Sequence, residues 1–533
     1  MANPFENYNF DKAEDAFKTV KSKLKNYEVH KAYVKGEDWQ NGKGWAGPKF
    51  EGTSKVSTLL KAEVERSFAS KGSIRSAIRR KVRGVSGRVP TWMISSRNAP
   101  SNPEAQIPAE VQTRIDEAQK ILNEFWKNSR VHTTVKDFVK DYETVGDAVL
   151  RIFFVRDGEN ELDPIESIEK AVKKVHLFKE DPGMGVVLLD KETLKKAAFY
   201  RYERDGMVFI EMCYVDDEGL TVYKTLSKNA TKDFTKKTFA GSLDKYNKTT
   251  DETESEGLKL PLGEKLLIFQ MTGDPLISNS MISQQKLVNK GLTMMSHNVD
   301  IDGFRSRVLL NAMPPGEFKR DETTGKEKFV ADPNGLEVGA GKIQYANGLP
   351  IVEKEEGKIK TTYTTPSIFE SQPIEVDTFI KTIETASDCI LEEADQKHVA
   401  ISGDATASGL SREEAREEFK QSLEDTKTSL DDVMSEVGEC VLAVVAYLMA
   451  QNDRYADLQV TYGSILNPGP LSAESRNAAM NEGDKKYRSR ESVMEQIGIT
   501  DADAMKAKIK QEEAENPPEE DPKEGPKDDP NSN

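Results

Sequence analysis

The sequence predicts an α+β protein built from more than one structural region, and three observations lead to this expectation. With 533 residues, the chain is longer than a single hydrophobic core usually serves. Helical and strand-like patterns alternate in its first half, whereas its second half contains two similar helices and one very long helix. Charged residues make up 31% of the chain and the mean hydropathy is -0.63, which favours long solvated helices over a compact monomer.

The N-terminal region, residues 1–277, is predicted to be an α/β domain. Apolar residues recur at steps of three and four in EVQTRIDEAQKILNEFW, which is the spacing of an amphipathic helix. AVLRIFFV is short and apolar like a buried strand. Turn signals separate the β-forming runs of KAAFYRYERDGMVFIEMCYVDDEGLTVYKTL, so we expect an antiparallel meander there. Residues 227–262 are polar and are predicted to form an exposed excursion before a strand at EKLLIFQM.

Two similar helices are predicted at residues 278–302 and 374–396, each with one apolar stripe. The residues between them, 303–373, are rich in Gly and Pro and read as short strands and turns, a small α/β unit at the tip of a helix hairpin. The stripe of the first helix consists of Met281, Val288, Leu292, Met295 and Val299, with Gln284, Gln285, Asn289 and Asn298 off it. The stripe of the second consists of Val376, Phe379, Ile380, Ile383, Ile390, Leu391 and Ala394.

A flexible loop, residues 397–410, is predicted to link the second of these helices to the longest helix of the chain. Its SGDATASG segment is built from residues that favour turns. Nothing stops helix propagation from residue 411 to residue 451, so this helix would be roughly 60 Å long at ~1.5 Å per residue. Ser411 and Glu414 have the spacing of a capping box at its start. A helix of this length indicates a part of a larger assembly.

The C-terminal residues are predicted to form a strand at RYADLQVTYG, so that residues 411–465 comprise the long helix and this strand. Polar helices follow at 466–515, separated by Pro468, Pro470 and Gly498. Residues 516–533 belong to an acidic, proline-rich tail that cannot bury enough apolar area to become ordered.

Charge and cysteine usage exclude several classes of protein. A net charge of -16 argues against a protein whose whole surface grips nucleic acid. The spacings of Cys213, Cys389 and Cys440 match neither a disulfide framework nor a zinc site, so we expect a reducing compartment. The N-terminus lacks the pattern of a secretory signal. The longest apolar run, from Cys440 to Ala450, is too short for the ~20 residues that cross a bilayer.

No motif in the chain carries catalytic chemistry. The phosphate-binding pattern G-x-x-x-x-G-K-[ST] is absent. The five histidines are dispersed, and acidic pairs such as Glu413 and Glu414 are typical of a solvated helix face. We therefore expect no enzymatic activity, no metal and no cofactor. The histidines are His30, His132, His176, His297 and His398.

A basic patch follows the first seventy residues, and two roles remain open for it. Its apolar residues Ile74, Ile78, Val82 and Val85 are predicted to form the buried stripe of a helix whose opposite face is positive. The patch could contact phosphates or neutralise an acidic neighbouring subunit, and we favour the second because the rest of the chain is acidic. The basic residues are Lys71, Arg75, Arg79, Arg80, Lys81, Arg83 and Arg88.

The order of these parts resembles the portal protein of tailed bacteriophages. GEDWQNGKGWAGPKF, with Trp39, Trp45, Gly47 and Pro48, is similar to the early aromatic and glycine stretch of that family. VGDAVLRI is similar to its wing strand, and SGDATASGLSREEAREEF to its tunnel-loop junction. The resemblance implies a portal-type subunit with the following parts: an α/β wing at 1–277, stem helices at 278–302 and 374–396, a clip at 303–373, a tunnel loop at 397–410, a long wing helix and strand at 411–465, a helical crown at 466–515 and a tail at 516–533.

The resemblance also implies a function. Portal proteins form rings of about twelve subunits at one capsid vertex, through which double-stranded DNA is packaged and ejected. The implied partners are further copies of the chain, the DNA, the large terminase subunit, head-completion or adaptor proteins, and the major capsid and scaffold proteins, with no membrane. The implied location is the virion, after assembly in the host cytoplasm. Two alternatives remain open: a metal-dependent nuclease, and a helical head-assembly scaffold or adaptor that never contacts DNA.

Two sets of site residues follow from the resemblance. A channel through which DNA slides should neutralise few phosphates at a time, which agrees with the acidic chain. The DNA-facing tunnel loop would comprise Lys397, His398, Ser402, Gly403, Asp404, Thr406, Ser408 and Gly409. The clip docking surface would comprise Lys319, Arg320, Lys326 and Lys328.

Overall fold

The protein is a mixed helix-and-sheet, α+β structure, as the sequence predicts. Several predicted parts lie outside the described residues: the aromatic stretch at 39–48, the crown beyond 467 and the acidic tail. The computed structural model describes residues 3–37, 68–97, 108–128, 130–154, 164–204, 207–228, 235–237, 243–248, 252–255, 257–303, 307–313, 316–320, 325, 327–332, 348–355, 358–370, 374–402 and 409–467.

The helices of the described residues include all those predicted from apolar periodicity. They are α1 (Phe10–Lys23), α2 (Tyr27–Lys35), α3 (Ser73–Ser86), α4 (Ala109–Asn128), α5 (Val131–Val145), α6 (Ile168–Lys173), α7 (Asn279–Gly303), α8 (Val376–Glu393), α9 (Lys397–Ser402) and α10 (Gly409–Leu448).

The strands pair in antiparallel fashion throughout. They are β1 (Thr91–Ser96), β2 (Asp147–Phe154), β3 (Val175–Glu180), β4 (Gly185–Leu189), β5 (Lys196–Arg204), β6 (Met207–Val215), β7 (Thr221–Lys228), β8 (Thr235–Lys237), β9 (Leu243–Lys248), β10 (Glu252–Ser255), β11 (Leu258–Leu260), β12 (Ile268–Thr272), β13 (Arg307–Leu310), β14 (Gly316–Arg320), β15 (Glu327–Ala331), β16 (Pro350–Glu355), β17 (Lys358–Tyr363), β18 (Ser367–Glu370) and β19 (Leu458–Gly463).

The described chain divides into two compact units. The first comprises the described residues of Met1–Gly44, Gly72–Gln285 and Ser387–Asn533, and the second those of Trp45–Lys71 and Lys286–Ala386. The divisions fall inside α7 and α8, so the predicted domain boundaries stay predictions.

The sheets of the first unit confirm the predicted meander. An eight-stranded sheet has the order β4-β5-β6-β7-β10-β9-β8, with β11 also pairing with β7, and a three-stranded sheet has the order β12-β2-β3. The predicted exposed excursion at 227–262 supplies β8 to β11 of the larger sheet. Its ends are not exposed as predicted, since Ser227, Leu260 and Leu262 are buried. Ser227 stands opposite Thr253 of β10, and Leu260 stands opposite Thr221 of β7.

A small cluster of Val149, Ala198 and Ile268 and two larger hydrophobic clusters hold the described part of the first unit together. In one of the larger two, Phe10 and Phe17 of α1 pack on Phe199 and Met212 of the larger sheet. The other surrounds the C-terminal half of α10, the apolar run that the sequence predicts to be buried. At Gly438 of α10, an added Cβ would lie 2.9 Å from the Trp92 ring, so glycine lets this helix approach the β1–β19 ribbon closely.

The second unit contains a helix pair and three separate two-stranded ribbons. The ribbons are β13–β18, β14–β15 and β16–β17. The described residues between 307 and 370 form strands and no helix, and residues 333–347 lie outside the described residues, so the α/β character of the clip stays a prediction. Two-stranded ribbons satisfy the short, turn-rich pattern of these residues without requiring a helix.

The polar residues of α7 correct a second expectation. Gln285, Asn289 and Asn298 were predicted off the buried stripe, yet all three are buried, whereas Val299 of the stripe is 58% exposed. Buried amides persist because they are hydrogen-bonded. The Asn298 side chain, for example, accepts from the Ile374 amide at 2.9 Å and donates to its carbonyl at 2.8 Å.

Candidate functional site

The predicted tunnel loop begins with a short helix and not with a flexible segment. Lys397–Ser402 forms α9, and Gly409 is already the first residue of α10. Ser411 is therefore the third residue of α10, three residues after the capping position, so the predicted capping role of Ser411 is wrong. The remaining predicted loop residues, Gly403, Asp404, Thr406 and Ser408, lie outside the described residues.

A sharp turn at Asp395 separates α8 from α9. Asp395 adopts a left-handed φ of 55°, and the Gln396 amide donates back to the Leu391 carbonyl at 2.7 Å, which ends α8. The Gln396 side chain is fully buried. Its Nε2 donates to the Ala77 carbonyl at 2.8 Å, and its Oε1 accepts from Arg80 at 3.1 Å. The base of the loop is thus anchored to α3.

Lys397 and His398, the two groups expected to reach phosphate, both have contacts within the chain. Lys397 lies 2.8 Å from Glu392, and this ion pair raises the pKa of Lys397. The His398 ring packs on Phe419 of α10, with ring centroids 4.8 Å apart. Burial lowers the pKa of His398, and the positive charges of Arg80 and Arg416 lower it further, so the ring is held neutral. The DNA-facing role of these residues stays a prediction.

The basic patch occupies α3 and its flanks. The predicted apolar stripe is confirmed, since Ile74, Ile78, Val82 and Val85 are all buried. The opposite face carries the exposed Arg79 and Arg83, but Lys81 does not lie on it. Lys81 turns inward, because its ammonium pairs at 3.5 Å with the carboxylate of Glu143, which is buried on α5.

The other basic residues of the patch differ in their surroundings. Arg80 is half-buried against Gln396. Lys71 is exposed and Arg88 is half-buried, and both have contacts of their own. Arg75, Arg79 and Arg83 share one face of α3, and among the described residues none of them forms an ion pair. These three arginines form a row within the patch.

The predicted clip docking surface lies on the β14–β15 ribbon, where Lys319, Arg320 and Lys328 are exposed. Lys319 and Lys328 stand directly opposite each other across the two strands. Like charges in this position repel each other and favour an anionic partner. Lys326 lies outside the described residues.

Two hydrogen bonds that the sequence pattern does not predict fix the start of α3. Gly72 cannot cap this helix with a side chain, and Gln285 of α7 does so instead. Its Oε1 accepts from the amides of Ser73 at 3.0 Å and Ile74 at 3.2 Å. Local capping rules cannot find this contact, because the capping side chain is more than two hundred residues away.

Two further findings concern chemistry and membranes. In the part of the chain that the structure describes, no group of three or more His, Cys, Asp or Glu side chains could hold a metal ion. None of the described helices combines the length and apolar character needed to cross a membrane.

No protein-family model and no curated protein matches this chain. Among solved structures, a similar chain belongs to the neck of a native GTA particle, computed with C12 symmetry. The similarity covers 82% of this chain and 92% of that chain, at 11% sequence identity and a TM-score of 0.33. A TM-score this low does not establish a shared fold.

Proposed function

We propose that the protein is a portal-type subunit of a tailed bacteriophage. Copies of it form a ring at one capsid vertex, and double-stranded DNA passes through this ring during packaging and ejection. The ring also serves as the docking platform for the terminase motor and for head-completion proteins, and it acts without catalysis. The order of elements along the chain supports this proposal, as does one observation in the second unit.

That observation is apolar surface on ribbons that a single chain leaves uncovered. Ile351 and Val352 are neighbours in β16, so their side chains point to opposite faces of the β16–β17 ribbon. Both are exposed, and Tyr363 across the ribbon is 69% exposed. A lone two-stranded ribbon is marginally stable in water. These apolar faces are explained if neighbouring copies cover them.

The helix pair of the second unit supports self-association in the same way. Val288 of α7 packs with Ile383 and Ala386 of α8, so the two helices cover each other along one side. Val299 and Ile380 are nevertheless exposed. Exposed apolar patches of this kind mark interaction surfaces, and in a ring each pair has a neighbour on either side.

Imaging of the purified chain tests the proposal. We expect negative-stain and cryo-electron micrographs to contain closed rings with an axial hole. A chain that stays monomeric at micromolar concentration, or forms only open filaments, would contradict the portal role and favour a scaffold or adaptor. Nuclease assays with Mg²⁺ and Mn²⁺ separate the nuclease alternative, because a portal subunit leaves DNA intact.

A loop deletion tests the DNA-handling part of the proposal. Removing residues 402–409 should leave ring assembly unchanged while reducing the DNA retained in filled heads, since the segment is proposed to line the channel. The matched control replaces the same residues with a Gly-Ser segment of equal length, which separates loop sequence from loop length. Unchanged DNA retention in both variants would count against a tunnel loop.

A further inference from the structure

Three arginines form a straight row along α3. Arg75, Arg79 and Arg83 follow one another at four-residue steps, so they lie on one helix face about 6 Å apart. Arg79 and Arg83 are exposed and Arg75 is half-buried. Among the described residues, no carboxylate forms an ion pair with any of them. Positive charges at this spacing repel each other, so the row costs the isolated chain stability.

The exposed face of α10 carries the opposite charge. Its solvent-facing residues from Glu417 to Glu436 lie within about 120° of the helix circumference at ~100° per residue, and none of them is basic. The two lysines of this stretch lie off that face: Lys420 pairs with Glu417 and Lys427 with Asp431. Four exposed carboxylates form no ion pair within the described residues, and we call them the acidic stripe: Glu418, Glu424, Asp425 and Asp432.

The row matches the C-terminal part of the acidic stripe in length. Arg75 and Arg83 are eight residues apart on α3, and so are Glu424 and Asp432 on α10, which gives about 12 Å of helix in each case. Both belong to the first unit, yet they form no ion pair with each other in one chain. The arginine row of one copy therefore has a complement of equal length and opposite charge between Glu424 and Asp432 of another copy.

We propose that the arginine row of one copy docks on the acidic stripe of a second copy. This inference rests on the proposed ring, and it names the contact that joins neighbouring copies head to tail. Because two different surfaces meet, the contact is heterologous, and repeating it gives a closed ring when the rotation between copies closes. Nucleic acid fits less well as the partner of the row, since DNA would leave the acidic stripe unpaired and would face a chain of net charge -16.

Charge reversal with rescue tests the contact. Arg79→Glu/Arg83→Glu should reduce the assembled fraction roughly tenfold or more at fixed concentration, because acids then face acids. Asp425→Arg/Asp432→Arg should do the same. The chain with all four substitutions should assemble again, which also shows that the reversed surfaces still fold. The control is Lys170→Glu/Lys173→Glu, a basic pair on α6 that should leave assembly unchanged.

Sedimentation, electron microscopy and duplex-DNA binding distinguish the outcomes. If the wild type forms rings and the charge-reversed chains form them equally well, the proposed contact is wrong although the ring is correct. The same conclusion follows if the wild type forms rings and the chain with all four substitutions fails to assemble. If Arg79→Glu/Arg83→Glu keeps its rings but loses binding to duplex DNA, the row binds phosphate and the inference is overturned. A wild type that stays monomeric at every concentration overturns both the ring and the contact.

Discussion

The ammonium of Lys81 lies 3.5 Å from the carboxylate of Glu143, which is only 2% exposed. Thr426 of α10 donates a second hydrogen bond to the same carboxylate at 2.7 Å. The Glu143 carboxylate thus lies where α3, α5 and α10 meet. Its partner Lys81 belongs to the same helix as the arginine row. Removing water from a carboxylate is costly unless a partner compensates it, so Lys81 and Thr426 decide whether this junction is stable.

Lys81→Met should destabilise the first unit by about 3–5 kcal/mol, because it leaves the Glu143 charge buried and unpaired. Burial raises the pKa of Glu143, although Lys81 and Thr426 act in the opposite direction. A raised carboxyl pKa means that the folded state holds its proton more tightly than the unfolded chain. Stability from this group is therefore greatest at low pH and is lost as pH rises through the folded-state pKa.

Urea unfolding at two pH values measures this effect. The loss caused by Lys81→Met should be smaller in mildly acidic buffer than at neutral pH, since the carboxyl group then becomes protonated. Lys81→Met/Glu143→Gln is the control, because the neutral amide removes the pH dependence. An equal loss at both pH values would show that the effect of Lys81→Met does not depend on the protonation of Glu143.

Glu439→Gln should remove a pH-dependent part of the stability of α10. Burial by itself raises the pKa of Glu439, but the hydrogen bond from Lys265 and the charge of Arg97 outweigh it, so the pKa falls below 4.5. A lowered carboxyl pKa gives stability that is present above the unfolded value and lost as pH falls through the folded value. We expect a loss of roughly 1–3 kcal/mol at neutral pH.

Denaturant titrations from pH 7 to pH 3 compare the two chains. The difference between wild type and Glu439→Gln should shrink below about pH 4.5. A difference that stays constant over this range would mean that the substitution acts through packing alone.

Gly291→Ala should weaken the helix pair of the second unit. Glycine to alanine in a helix interior is normally stabilising by about 0.5–1 kcal/mol. Here the added Cβ would lie 2.8 Å from Cγ1 of Ile383, so we expect a net loss of about 1–3 kcal/mol. The double variant Gly291→Ala/Ile383→Ala should lose less stability than the sum of the single variants. Additive losses would show that the two residues do not touch.

His398→Phe should remove a proton-sensitive step in the docking of α9 on α10. The pKa of His398 is lowered below 6.5 by burial and by Arg80 and Arg416, so protonation is easier once α9 detaches. Docking is therefore favoured above about pH 6.5 and weakens as pH falls. Phenylalanine preserves the packing on Phe419 without a titratable group.

Hydrogen exchange of residues 397–402, corrected for the intrinsic effect of pH, checks this expectation. Protection should fall between pH 7.5 and pH 5.5 in the wild type and stay constant in the variant, a window set by the ordinary histidine pKa. Parallel behaviour of both chains would remove His398 from the docking of α9.

Apolar periodicity identified the long elements because the side chains that pack in the core recur with the period of the helix or strand that carries them. The helices α4, α7, α8 and α10 and the strands β2, β5 to β7, β12 and β19 stand where the sequence predicts them. The same reasoning failed where a residue's role depends on a distant partner. The sequence places Gln285 off the apolar stripe of its helix, yet it caps α3, and it places Lys81 in the basic patch, yet Lys81 pairs with the buried Glu143.

By itself, the sequence determined the mixed composition of the protein, its 40-residue helix and the buried stripe of α3, since these follow from the order of neighbouring residues. Only the tertiary structure decided which charges are paired. Lys81 meets Glu143 across 62 residues of chain and Gln396 meets Ala77 across 319, and no local pattern records such distances. It also decided that Lys81 turns inward to Glu143 while Arg79 and Arg83 of the same helix stay exposed.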